Sequence, residues 1–254
     1  MIIAVDIGNT NIALGGFSDS EPVFKAALST DSTKTADEYA VLILAALALH
    51  NPDKTEVEGI VISSVVPPLT KVIRDALSFI YKIEPLIVGP GVKTGVNIHC
   101  DTPSSVGTDL ICACAAVKQC YGTPALIIDM GTATKMTVMD KNGSFEGVSI
   151  IPGVDMGAKA LSSGTAQLPQ VSVEAPPRFV GKNTIDSMRS GIVFGNACLI
   201  DGMIDRICEE FGESMPVYAT GGSAESVIPY CRHKITLDKN LVLKGLNIIY
   251  IKNN

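Results

Sequence analysis

A short phrase occurs twice in this chain, half a chain apart: Asp6-Ile7-Gly8-Asn9-Thr10, and Asp129-Met130-Gly131-Thr132 with a further Thr134. Each copy follows a run of β-branched and aliphatic residues (Ile2, Ile3, Val5; then Leu126, Ile127, Ile128) and precedes another (Ile12 to Phe17; Met136 to Met139). The unit reads strand, tight glycine turn, strand, with a carboxylate closing the first strand. That chemistry suits phosphate. Glycine lets backbone N–H groups come close to phosphate oxygens, a threonine hydroxyl adds a donor, and the aspartate can hold a cation that offsets phosphate charge. Asp and Gly are ordinary turn residues, so a single copy carries little weight. Two copies in a 254-residue chain point to a duplicated domain with a nucleotide between the halves.

The rest of the composition narrows the class. At 254 residues the chain can bury a substantial core, as one large domain or two of ordinary size. No apolar run approaches membrane-spanning length, and only a few apolar residues precede Asp6, with no basic segment before them, so neither a membrane partner nor a signal peptide is expected. A net charge of −6 argues against a nucleic-acid partner. The 7 cysteines (Cys100, Cys112, Cys114, Cys120, Cys198, Cys208, Cys231) form no CxxC pair and lie mostly in apolar, helix-like stretches. Buried free thiols in a reducing cytoplasm are the expectation. His50, His99 and His233 lack ligand spacing, so no zinc site is expected.

Along the chain, the opening β-hairpin leads to a helix capped by Thr35 or Asp37, with Tyr39, Leu42, Ile43, Ala46 and Leu49 at helical spacing. A buried strand at 59–63, a helix at 69–81 and a strand at 85–88 follow. Strands alternating with helices predict an α/β sheet with ligands at the strand carboxyl ends. Residues 89–103 read as a crossing loop, and 105–121 as a helix whose start is marked by Pro103, Ser104 and Ser105. The second half repeats the β pattern at 125–140, with a turn at Asn142-Gly143, a further glycine turn at 150–153 and a helical stretch at 157–161. A polar, proline-bearing stretch at 167–183 reads as a flexible excursion. The long helix at 184–211 places Met188, Ile192, Gly195 and Leu199 on one face, and its small Gly191, Gly195 and Ala197 permit close helix packing. A last strand ends in Thr220-Gly221-Gly222 before another helix. The expected domains are 1–117 and 118–254.

The three glycine turns, at 6–10, 129–134 and 220–222, resemble in order the two phosphate motifs and the adenosine motif of the actin-like kinase superfamily. More specifically, the chain resembles type III pantothenate kinases over nearly its whole length. The first half carries the matching segments Asp6 to Asn11, Ile62-Ser63-Ser64-Val65-Val66-Pro67 and Val88-Gly89-Pro90-Gly91. The second half adds Asp129 to Ala133, Pro152-Gly153, Thr165 to Pro169, Gly181-Lys182-Asn183-Thr184, Thr220-Gly221-Gly222 and Lys244-Gly245-Leu246. The resemblance implies an actin-like (ribonuclease H-like) duplicated two-domain α/β fold. It implies ATP-dependent phosphorylation of pantothenate to 4′-phosphopantothenate, the first step towards coenzyme A, in a cytoplasmic homodimer. It also implies dependence on Mg²⁺ and on a monovalent cation, K⁺ or NH₄⁺.

By the same resemblance, Asp6, Ile7, Gly8, Asn9, Thr10, Asn11, Ile12 and Ala13 hold ATP phosphates, with Asp6 placed for Mg²⁺. Thr132, Gly221 and Gly222 contact the nucleotide, and Asp129 is the monovalent-cation ligand. Cys100, Gly107, Thr108, Leu110 and Thr184 occupy acceptor-site positions, Thr184 reaching across the subunit interface. Asp109 matches the catalytic base, a role that fits an alcohol attacking a γ-phosphate, which needs a carboxylate to orient it and accept its proton. The structural alternatives are a first-turn aspartate favouring the helix end for Asp109 and an N-cap for Thr184.

The chain also departs from the family pattern. Leu110 stands where an arginine is usual, Cys100 where tyrosine is usual, Lys135 where threonine is usual, and Val148-Ser149 interrupts a usual double glycine. Pantothenate carries a carboxylate suited to a guanidinium fork, and leucine supplies no donor. Lys135 either replaces that charge or points to solvent. Two further readings therefore stand beside pantothenate phosphorylation: a kinase for another small hydroxyl acceptor, and a non-catalytic nucleotide-binding regulatory protein.

Overall fold

Each Asp-Gly-Thr phrase begins a sheet of its own. A computed structural model of the protein describes residues 1–50 and 56–254. Its chain divides into one unit made of Met1–Gly122 with Asn240–Asn254, and another of Thr123–Lys239. The first unit runs β1 (Ile2–Ile7), β2 (Asn11–Phe17), β3 (Pro22–Ser29), α1 (Ala36–His50), β4 (Gly59–Ser64), α2 (Pro67–Tyr81), β5 (Leu86–Ile87), β6 (Asn97–Ile98) and α3 (Thr108–Cys120). The second holds β7 (Ala125–Met130), β8 (Ala133–Met139), β9 (Ser144–Pro152), α4 (Val154–Ser163), α5 (Thr184–Phe211), β10 (Val217–Thr220), α6 (Ala224–Val227) and β11 (Ile235–Leu237). The C-terminal helix α7 (Leu241–Asn253) returns to the first unit.

In the first unit the strand order is β3-β2-β1-β4-β5, with β1–β2–β3 antiparallel and β1–β4–β5 parallel. Alternation along β1 sends Ile3, Val5 and Ile7 to one face. There they join Ile12, Leu14, Ile60 and Ile62 against Tyr39 and Ile43 of α1 and Leu69, Ile73 and Leu77 of α2. The α1 start is a capping box: Thr35 Oγ1 accepts from Glu38 N (3.3 Å) while Glu38 Oε2 accepts from Thr35 N (2.8 Å). Its buried stripe is Tyr39, Ala40, Ile43 and Leu47, so the expected Leu42 and Leu49 are exposed instead.

The opposite face is built from small residues, and α3 and α7 lie close on it. A Cβ on Gly59 would strike the Tyr250 ring, one on Gly15 would meet Leu243 Cδ1 at 3.1 Å, and one on Gly245 would strike the Cys112 carbonyl oxygen. Leu241, Leu243, Leu246 and Ile249 of α7 are buried, and Lys244 pairs with Glu21 at 2.6 Å. This corrects the expected boundary of 117/118 with everything after it in the second half. The chain crosses at 122/123, and α7 rejoins the first unit, where Gly15, Gly59 and Gly245 let it pack closely.

The second unit repeats the connection order, β9-β8-β7-β10-β11, with β7–β8–β9 antiparallel and β7–β10–β11 parallel. One face packs Leu126, Ile128, Met130, Met136 and Val217 against Met188, Ile192, Val193, Ile200 and Ile204 of α5. Leu199, placed by spacing on that buried stripe, is 37% exposed. Residues 167–183 form no helix or strand, but they are not a loose excursion. Phe179 stacks on Phe194 with centroids 5.0 Å apart, Ser190 Oγ bonds to the Phe179 carbonyl, and Arg189 Nη2 donates to Ser172 Oγ (2.6 Å). The thiols also differ from expectation: all are free, but only Cys112 and Cys114 are buried, while Cys120 and Cys198 are exposed. Among the described residues no helix is long and apolar enough to cross a membrane, and no cluster of three metal-ligating side chains is present.

Candidate active site

In the first unit the site residues gather at the carboxyl ends of β1 and β4. The turn after β1 closes through Gly8 N donating to Asn11 O (3.0 Å), and a Cβ at Gly8 would lie 3.0 Å from that same oxygen. Thr30 ties the turn to β3, its hydroxyl donating to Gly8 O (2.6 Å) and its N–H to Thr10 O (3.0 Å). Asp6 lies opposite Ser63 on β4 and Ala13 on β2. Ser63 Oγ and Thr108 Oγ1 are 2.9 Å apart, and Ser64 N donates to Thr108 Oγ1 (3.2 Å), so the first turn of α3 is fastened to the end of β4.

The helix starts later than its sequence suggests. Pro103–Ser105 is a single 3₁₀ turn, and extended backbone at Val106 (ψ 125°) and Gly107 (ψ 136°) separates it from α3. That break puts Asp109 in the first turn of α3, where it is 8% exposed and its Oδ1 accepts from Leu110 N (2.9 Å). Cys112 follows one turn on. Burial pushes its thiol well above the ordinary range, the nearby charges of Asp6 and Asp109 push it further, and a hydrogen bond with Ser63 opposes them. Asp6 and Asp109, far apart in sequence, therefore act electrostatically on the same sulfur. Leu110 is buried and Cys100 half-buried.

In the second unit three glycine segments meet at the ends of β7 and β10. Asp129 pairs in register with Thr220. Gly221, at φ 97°, lies so close to Met130 that a Cβ would sit 2.5 Å from the Met130 carbonyl carbon. A side chain at Gly153 would likewise strike the Thr132 and Gly131 carbonyls. Ser223 N donates to Met130 O (3.2 Å), and Ser223 Oγ donates to Asp155 Oδ2 (3.0 Å). Asp129, Thr132, Gly221 and Gly222 thus cluster as the motifs suggest. Asp155 and Ser223 belong to the same cluster, yet sequence reasoning passed over them. The signal was the Pro152-Gly153 break, which starts α4 at Val154 and makes Asp155 a first-turn acid.

Two expectations change. Lys135, on β8 directly across from Asp129, turns to that carboxylate rather than out to solvent or to a distant one: its Nζ lies 3.0 Å from Asp129 Oδ2, with the side chains 21% and 16% exposed. The donor set at Asp129 therefore does not fit a free monovalent cation, because an ammonium already bonds its carboxylate. Thr184, for its part, is not the cap of α5; Asn183 is, accepting from Asp186 N (2.9 Å). Thr184 instead lines a cavity of about 580 Å³ with Leu161, Leu168, Lys182, Ser187 and Met188. Arg189, the next residue after Met188 in α5, is engaged with Glu174 (3.1 Å) as well as Ser172.

Comparison with known proteins gives the fold and the family. The fold resembles component A of (R)-2-hydroxyglutaryl-CoA dehydratase from Acidaminococcus fermentans (TM-score 0.57, 15% identity, 98% of this chain and 96% of that one). It also resembles the ROK hexokinase from Thermus thermophilus (TM-score 0.53, 12% identity, 100% and 99%). The fold is the actin-like one of ATPases and sugar kinases. A type III pantothenate kinase from Moorella thermoacetica is 39% identical over 253 residues, spanning 100% of both chains. Another from Citrifermentans bemidjiense is 40% identical over 253 residues, again end to end. A family model described as type III pantothenate kinase matches residues 2–206, and the chain belongs to the type III pantothenate kinase family.

Proposed function

We propose that this protein uses ATP to phosphorylate the terminal hydroxyl of pantothenate, giving 4′-phosphopantothenate, the first step towards coenzyme A. The observation that carries this reading is the fastening of α3 to the end of β4: Asp6 pairs in register with Ser63, whose hydroxyl lies 2.9 Å from Thr108 Oγ1, and Asp109 is the next residue, so carboxylates of two separate motifs belong to one corner of the sheet. Phosphoryl transfer needs one acid to hold a cation on the phosphates and another to orient the attacking alcohol. Asp109 is the base in this reading, and Gly107, Thr108 and Thr184 line the acceptor. Residues 6–13 and Thr132 receive the phosphates, and Gly221 and Gly222 the adenosine. Asp6, an oxygen donor beside a glycine turn, fits Mg²⁺, which when bound offsets the charge on the phosphates. In this reading the protein is cytoplasmic and a homodimer, and the pairing of two subunits accords with the exposed apolar side chains of Phe179, Val180 and Ile185, at 64%, 77% and 47%.

A second reading, another hydroxyl acceptor in place of pantothenate, is favoured by one observation. Leu110 supplies no donor, and both Lys135 and Arg189 are already engaged, with Asp129 and Glu174. An ADP-release assay with pantothenate separates the two. Turnover at micromolar pantothenate supports the first reading. No turnover in the parent, with gain in the Cys100→Tyr, Leu110→Arg double variant, supports the second. Restoring one charge-assisted hydrogen bond is worth roughly 10–150-fold in kcat/KM.

A further inference from the structure

The repeated turn carries opposite chemistry at one equivalent position. Across from Asp6 on the neighbouring strand stands Ala13; across from Asp129 stands Lys135. The Lys135 ammonium is 3.0 Å from Asp129 Oδ2, and only about a fifth of either side chain is exposed. We propose that Lys135 is a built-in monovalent cation, which occupies the place at Asp129 that an exchangeable K⁺ or NH₄⁺ would take and makes the protein indifferent to those ions.

The chemistry is direct. A lysine head is an alkylated ammonium, carrying the single charge of K⁺ and the N–H donors of NH₄⁺. Because β7 and β8 fix its position by register, it is present at high effective concentration whatever the salt. A second cation at the same carboxylate would meet like charge in a partly desolvated setting and be disfavoured. Asp129 keeps its neutralised state beside the Gly131-Thr132 turn without recruiting anything from solution. In its relevance to phosphate transfer this inference rests on the kinase reading, but its ion-binding content does not.

The test compares parent, Lys135→Thr and Lys135→Met in KCl, NH₄Cl and choline chloride at equal ionic strength. Two readouts are taken: the thermal midpoint without substrates, and ADP release with ATP, Mg²⁺ and acceptor. The parent should melt at one temperature in all three salts and turn over at rates equal within about twofold, the change expected when no charge interaction is lost. Lys135→Thr should melt lower in choline and recover saturably with K⁺ or NH₄⁺. Its rate should rise at least about tenfold with either ion, the scale of one close charge pair. A saturable rise of the parent midpoint with K⁺ overturns the proposal, as does a folded Lys135→Thr that ignores both ions. If neither variant folds, the parent's salt response decides alone. If no acceptor turns over, the kinase reading fails while the melting data still decide the cation.

Discussion

The two sheets share one plan and differ in what their strand ends carry. In both, three antiparallel strands precede two parallel ones, and the first strand carries an aspartate as its next-to-last residue, Asp6 or Asp129. In both, the parallel neighbour presents a hydroxyl in register, Ser63 or Thr220. Around those shared parts the surroundings diverge. The Asp6 turn is held from outside by Thr30, and its cross-strand neighbour is a methyl group. The Asp129 turn is shorter by one residue, is packed from Gly153 and Gly221, and faces an ammonium. Duplication thus preserves a backbone frame that can present N–H groups to phosphate, while the facing side chain decides what the carboxylate does. A role assigned to one copy does not transfer to the other.

The largest effect should come from the first unit. Asp109→Asn keeps the shape of the side chain and its place in α3 but removes the proton acceptor. The rate of phosphoryl transfer should fall by roughly 10²–10⁴-fold, the scale of general-base loss, with ATP affinity retained. Transfer near the parent rate would leave Asp109 as a helix-end aspartate and no more.

The comparison itself is sharpened by paired asparagine variants. Asp6→Asn should weaken Mg²⁺–ATP binding in calorimetry by roughly tenfold or more, since a hard cation prefers a charged oxygen. Asp129→Asn should change it less, because Lys135 already neutralises that carboxylate. Equal losses would mean that the two turns are used alike, and that the difference between Ala13 and Lys135 has no consequence.

Most of the frame was legible in the sequence, and the reasons for the exceptions are physical. Apolar alternation and glycine turns located β1, β2, β7, β8 and β10, and the bounds of α5 follow from its Asn183 cap and the αL Gly212 that ends it. What sequence could not supply was anything set by long-range packing. The return of α7 depends on Gly15, Gly59 and Gly245 meeting partners far away in sequence. The α3 start was misplaced because Pro103 and Ser104 signal a helix that lasts one 3₁₀ turn. Lys135 could be read either way from alternation, since what decides is its register against Asp129, which a single strand does not reveal. Asp155 and Ser223 stayed hidden because each is an ordinary turn residue until the other is beside it.

The smallest expected effect concerns the thiols behind the first site. Cys112 is pushed well above the ordinary range by burial and then by Asp6 and Asp109, and burial pushes Cys114 from 9.0 to about 12. At mildly alkaline pH a thiol reagent should label the exposed Cys120 quickly and leave both buried thiols untouched until the protein unfolds. The sign of the linked stability follows from the protons. A raised folded value means the native state keeps a proton that the unfolded state gives up, so stability is full below the unfolded value near 9.0 and is lost as pH rises above it. Each thiol contributes a slope of up to about 1.4 kcal/mol per pH unit in that window. Urea midpoints measured from pH 8 to 10 should therefore fall, and fall less steeply in Cys114→Ala, even though that variant starts from a lower stability for its lost packing. An unchanged slope would mean that Cys114 ionises as easily folded as unfolded. That would contradict the dry contact of α3 and α7 with the sheet face bearing Asp6, and would leave that corner wetter than a carboxylate base such as Asp109 requires.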